Sequence, residues 1–131
     1  MIATCCSQSR RLLECGVDPE TADMIETRLG NLLNRTQDFP VDETKETLVW
    51  SLSALLGLLP KEIKVDESPY DEVQKYGLLI YPFMSGWQID YQYCIYDECH
   101  NLMCIYSTDI IEVCVQAIEW LNANNYKLNR L

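Results

Sequence analysis

The stretch from Trp87 to Tyr93 constrains this chain more than any other. Apolar and polar residues alternate strictly there, with Trp87, Ile89, Tyr91 and Tyr93 at the odd positions and Gln88, Asp90 and Gln92 at the even ones. A period of two marks a strand with one buried and one solvated face. On its N-terminal side, Tyr76 to Tyr81 is rich in strand formers and ends at Pro82, and Ser85-Gly86 supplies a turn. On its C-terminal side, Asp97 to Asn101 supplies a second turn and Leu102 to Tyr106 a third strand. Connections this short predict an antiparallel meander. Because Leu102 to Tyr106 is apolar throughout, alternation does not reveal which of its faces is buried.

Asp109 is placed to cap a final helix. Ile110, Cys114, Ala117, Ile118 and Leu121, joined by Ile111 and Val115, make one apolar side, while Glu112, Gln116, Glu119 and Asn122 recur at helical spacing on the other. That helix is expected to pack on the sheet face bearing Trp87, Ile89 and Tyr91. Earlier in the chain, Thr4 or Ser7 can cap a short helix through Cys15 that Gly16 ends. Asp18-Pro19-Glu20 carries the signals of a second helix start, and apolar residues from Ala22 to Leu33 predict a helix as far as Asn34, weakened by Gly30. Ser51 and Pro60 bracket a third, apolar helix of about two turns.

These elements predict one α+β domain over residues 1–131: a three-stranded antiparallel meander followed by an amphipathic helix, with two or three N-terminal helices packed on the sheet. Residues 36–47 and 61–75 are polar and are expected to be exposed connections. A length of 131 residues with 48% hydrophobic and 23% charged side chains suits a single core. The net charge of −10 divides as −1 over residues 1–35, −5 over 36–75 and −4 over 76–131. Phosphate backbones are bound mainly by Lys and Arg, so direct nucleic-acid binding is not expected, whereas a basic protein partner is compatible with this charge. No run approaches the roughly 20 apolar residues of a membrane-spanning helix, and the first residues lack the pattern of a secretory signal. A cytoplasmic setting follows as the expectation, and the seven cysteines are expected to be reduced thiols.

No coherent catalytic set emerges. Cys94, Cys99, His100 and Cys104 carry groups that bind zinc, yet they form no C-x-x-C pair, and two of them lie in strands ten residues apart with the others at the intervening turn. A thiol nucleophile at Cys99 would have only His100 as an imidazole base. With twenty acidic residues, no carboxylate pair stands out. The sequence calls for no cofactor and no metal. Its aromatic residues gather on the meander, and no Lys or Arg occurs from Tyr76 to Tyr126, which sets the chain apart from sheets that stack nucleic-acid bases. Tyr is enriched at protein interfaces, and Tyr81, Tyr93, Tyr96 and Tyr106 are the candidate interface residues. The expectation is a non-enzymatic interaction protein. Its alternative is a small enzyme or a ligand- or metal-binding domain using Cys99, His100 and nearby acids.

Several phrases spread over most of the chain carry a resemblance. They are Ser9-Arg10-Arg11-Leu12-Leu13, Gly16-Val17-Asp18-Pro19-Glu20-Thr21-Ala22-Asp23-Met24, Trp50-Ser51-Leu52-Ser53-Ala54-Leu55-Leu56, Leu59-Pro60 and Ala117-Ile118-Glu119-Trp120-Leu121. Together they resemble a group of short acidic hypothetical proteins of gut anaerobes, their prophages and other mobile elements. The resemblance implies an accessory role on a mobile element. It implies no activity, so it brings no functional residues with it.

Overall fold

The computed structural model describes residues 2–35, 41, 46–65 and 74–129. Its longest strands are ten residues each: β5 (Gln74–Phe83), β6 (Gly86–Ile95) and β7 (Glu98–Ser107), following β4 (Glu62–Val65). They form one antiparallel sheet in the order β4-β5-β6-β7. The meander therefore has four strands where three were expected. Ile63 and Val65 account for the added one, since both are buried while Glu62 and Lys64, which alternate with them, are exposed. This alternation lies inside the polar 61–75 stretch, so that stretch is not simply an exposed connection; residues 66–73 lie outside those described.

Both hairpins turn in two residues, Met84-Ser85 and Tyr96-Asp97, with Met84 and Tyr96 at positive φ (52° and 55°). Gly86 is thus the first residue of β6 and not a turn residue. Its hydrogen takes the place of a side chain that would meet the Ser107 carbonyl and the Thr108 Cα. Pro82 does not end β5. Beyond Gly77 the strand has no β4 partner, so the proline sits on an open edge where a missing N–H leaves no ladder bond unmade.

The sheet's inner face carries Ile63, Tyr76, Leu78, Ile80, Trp87, Ile89, Tyr91, Met103 and Ile105. Helix α3 (Ile110–Ala123) packs against β6 and β7 there, burying Ile111, Val113, Cys114, Val115, Ala117, Ile118 and Leu121. Asp109 caps it by accepting from the Ile111 N–H (3.0 Å), so the capping and packing expected of this helix both hold. Each of its large buried side chains contributes about 1.5–3 kcal/mol. Helices α1 (Cys6–Glu14) and α2 (Leu52–Leu58) pack mainly on α3 and form a second layer over it, not over the sheet as expected. Gly16, at φ 97°, ends the α1 turn, and Ser51 caps α2 by accepting from the Ala54 N–H at 3.2 Å. Arg11 of α1 fastens α1 to α3: its guanidinium donates to Glu112 at 2.7 and 3.0 Å and to Glu119 at 2.5 and 3.3 Å.

The helix expected from Asp18 to Asn34 does not form. Asp18 caps only a single 3-10 turn over Pro19–Thr21, and the chain then enters strands β1 (Met24–Thr27) and β2 (Leu32–Asn34). With β3 (Glu46–Val49) they make a small antiparallel sheet in the order β2-β1-β3. Gly30, at φ 85°, sits in the connection between β1 and β2, where the Thr27 carbonyl accepts its N–H. Strand β3 begins at the end of the 36–47 stretch expected to be an exposed connection, whose residues 36–40 and 42–45 lie outside those described. Trp50, fully buried at the end of β3, donates its indole N–H to Thr21 Oγ1 at 2.9 Å. The described chain ends in a strap: Tyr126 stacks on Trp120, and the Asn129 amide donates to the Gly57 and Leu59 carbonyls at 3.1 and 3.0 Å. Those carbonyls lie at the α2 terminus, where helices need outside donors.

Candidate functional site

With α3 on one sheet face, the rows of the opposite face of β5–β7 follow from the register. Leu79, Asp90 and Cys104 form one row; Tyr81, Gln88 and Tyr106 form the next; Phe83 and Gly86 lie beyond. Asp90 is only 1% exposed although it stands on the outer face. Its carboxylate accepts from the Tyr81 hydroxyl at 2.6 Å and from the Gln88 amide at 3.0 Å, and the same Gln88 nitrogen reaches the Cys104 sulfur at 2.8 Å. Among the described residues no Lys, Arg or His pairs with Asp90.

Hydrogen bonding to Asp90 pushes the Tyr81 phenol up to about 12, and burial followed by the bond to Asp90 pushes the Cys104 thiol up to about 11. Cys104 is therefore protonated at neutral pH and is not set up as a nucleophile. Around this polar centre the surface is apolar and aromatic. Leu79, Phe83 and Tyr106 are each exposed by 41–47%, Met84 by 86%, and the rings of Phe83 and Tyr106 meet edge to face at 6.1 Å.

The four candidate interface tyrosines do not all share this surface. Tyr81 and Tyr106 flank Gln88 on the outer face. Tyr96 projects from the β6–β7 hairpin tip and is 99% exposed. Tyr93 belongs to the inner face, where its ring packs 5.9 Å from that of Tyr76. Leu79, Phe83 and Met84 join the site although the sequence did not single them out; alternation from Tyr81 places Leu79 and Phe83 beside it.

The cysteine and histidine set is not brought together. Glu98 to Asn101 belong to β7 and not to a turn, so Cys99 and His100, as strand neighbours, point to opposite faces. Cys99 lies directly across from Cys94 and is joined to it in a disulfide, with the Cα atoms 4.1 Å apart. The expectation of reduced thiols thus fails for this pair, because a two-residue turn brings the two sulfurs together. Among the described residues no three of His, Cys, Asp and Glu gather as a metal site, and no helix is long and apolar enough to cross a membrane. The chain matches no protein family, no curated protein and no solved structure.

Proposed function

We propose that this protein is a non-enzymatic interaction module of the cytoplasm, an accessory protein of a mobile element, that binds a basic protein partner through the outer face of β5–β7. One observation carries the reading: a buried carboxylate held by Tyr81 and Gln88 lies under an exposed aromatic surface at the Phe83–Tyr106 end of the face, while the described cations of that face, Lys75 and Lys64, stand at its other end. The Asp90 carboxylate lies in a low-dielectric setting, where electrostatic interactions are weakly screened. The Tyr81, Phe83 and Tyr106 rings offer π faces to an incoming Arg or Lys, an attraction worth roughly 0.5–2 kcal/mol per contact. Near the hairpin tip, Asp97 and Glu98 add exposed negative charge. The Cys94–Cys99 pair stands on the same outer face toward the β6–β7 hairpin tip, and a cytoplasmic setting leaves it open to reduction.

The test is a tagged capture from host lysate at moderate salt, run in parallel with the wild type, Phe83→Ser/Tyr106→Ser and Asp90→Asn. A basic protein retained by the wild type, released by high salt and lost from both variants supports the reading. Retention that ignores the substitutions, or a chain that emerges alone, overturns it.

A further inference from the structure

We infer that β7 accepts an extended, basic segment of the partner as an added fifth strand. The inference rests on the reading above and specifies the partner's form. Strand β7 is the outermost of four, and among the described residues no backbone group pairs with its side away from β6. Exposed edges of this length are usually guarded against pairing by Lys, Pro or irregularity. The opposite edge is guarded in this way, by Lys64 on β4 and by Pro82 where β5 runs beyond β4. On β7 the seven residues from Asn101 to Ser107 include no charge, no proline and no glycine. One irregularity, a bulge at Leu102 opposite Tyr91 and Gln92, leaves Met103 to Ser107 as the regular stretch available for pairing.

Charge selects the occupant. Acidic side chains stand at both ends of the open stretch, Asp97 and Glu98 before it and Asp109 after it. An antiparallel second copy centred on Cys104 would set Asp97 and Glu98 of each chain beside Asp109 of the other, a like-charge seam in a protein already at −10. A segment with Lys or Arg on either side of an uncharged alternating core has the opposite sign at both ends. Main-chain bonds would supply its affinity and the side-chain rows its specificity. On one side its residues would extend the apolar row of Met103 and Ile105; on the other they would lie beside Cys104 and Tyr106, continuous with the outer face.

Three synthetic peptides test this against the whole chain: Lys-Lys-Val-Thr-Val-Thr-Val-Thr-Val-Lys-Lys, the same core flanked by Glu, and the Lys-flanked peptide with a central proline. Binding is read by fluorescence anisotropy, the site by amide hydrogen exchange and the assembly state by light scattering. The expected result is that the first peptide binds at least about tenfold more tightly than either control, as the sum of several modest rim pairs allows. Amide protection should fall on Met103 to Ser107, and Asp97→Lys/Glu98→Lys should lower the affinity by about the same factor. Equal binding of the proline peptide, or protection away from β7, overturns strand addition and spares the basic-partner reading. Failure of both Lys peptides to bind overturns strand addition, while the capture test with the outer-face variants decides the basic-partner reading separately. A dimer with β7 amides already protected before peptide is added assigns the edge to a second copy and overturns the inference.

Discussion

Removing one side of the Arg11 clamp gives the most quantitative check on how the helical layer is held. Glu112 accepts from Arg11 at 2.7 and 3.0 Å, from Gln8 at 3.1 Å and from Gln116 at 2.8 Å. The Arg11 bonds lead in holding its carboxyl at about 2, against an ordinary value of 4.5. Taken at face value that difference is about 3 kcal/mol. The side chains of Arg11 and Glu112 remain 32% and 22% exposed, and solvent screening brings the expectation to about 1–2 kcal/mol. Since the folded-state value lies below the unfolded one, the contribution is complete above about pH 4.5 and is lost as pH falls toward 2. In urea unfolding followed by tryptophan fluorescence, Glu112→Gln should be less stable than the wild type by this amount at pH 7, and the gap should close near pH 2. Arg11→Met should show the larger loss at pH 7, because Glu112 and Glu119 then face each other without a cation, and should recover part of it in acid. A gap independent of pH, or strict additivity of the two substitutions in the double variant, would refute the clamp.

Two further outcomes are expected from the sheet. Gly86→Ala should lower stability by about 2 kcal/mol or more in thermal melts, because its Cβ would meet the Thr108 Cα at 2.8 Å; Gly77→Ala, whose nearest neighbour is 3.9 Å away, is the control that should melt near the wild type. Replacing Cys94 and Cys99 by Ser should cost no more than about 2 kcal/mol and leave the far-ultraviolet spectrum intact, since the disulfide spans a sequence separation of only 5 within a hairpin. Loss of the sheet signal would show that the bond, and not strand register, holds β6 to β7.

Elements with a long, unbroken period were legible in the sequence. Trp87 to Tyr93 could be only a strand, and the apolar side of α3 recurs over four turns. The caps at Ser51 and Asp109 and the stop at Gly16 are local chemistry and needed no tertiary context. Residues 22–34 carry two conflicting signals: Leu29, Leu32 and Leu33 fall at helical spacing, while β-branched Ile25 and Thr27 and the positive φ of Gly30 favour the hairpin that forms. Strand β4 rests on Ile63 and Val65 alone, too short a period to notice among polar residues. The Cys94–Cys99 pair depends on register, and a turn longer by one residue would have set the two cysteines out of line. Likewise, Asp90 reads as an ordinary solvent-facing position. Its burial comes from neighbours on the adjacent strands, Tyr81 and Cys104, which no local pattern in the sequence connects to it.

The strap at Asn129 bears on the order in which this chain can fold as it is made. Residues near both ends of the described chain are tied to one central segment: Thr4 pairs with Trp50 through both its N–H and its hydroxyl, Ala3 bridges Ser51, and Asn129 reaches the end of α2. During synthesis α2 emerges with its final carbonyls open to water, and α3, the surface on which it packs, follows some fifty residues later. The bonds at the end of the central helix therefore close only after Asn129 has been made. Contacts of such sequence span slow folding, and they make the last dozen described residues, from Ile118 onward, the step that commits the helical layer to its final place.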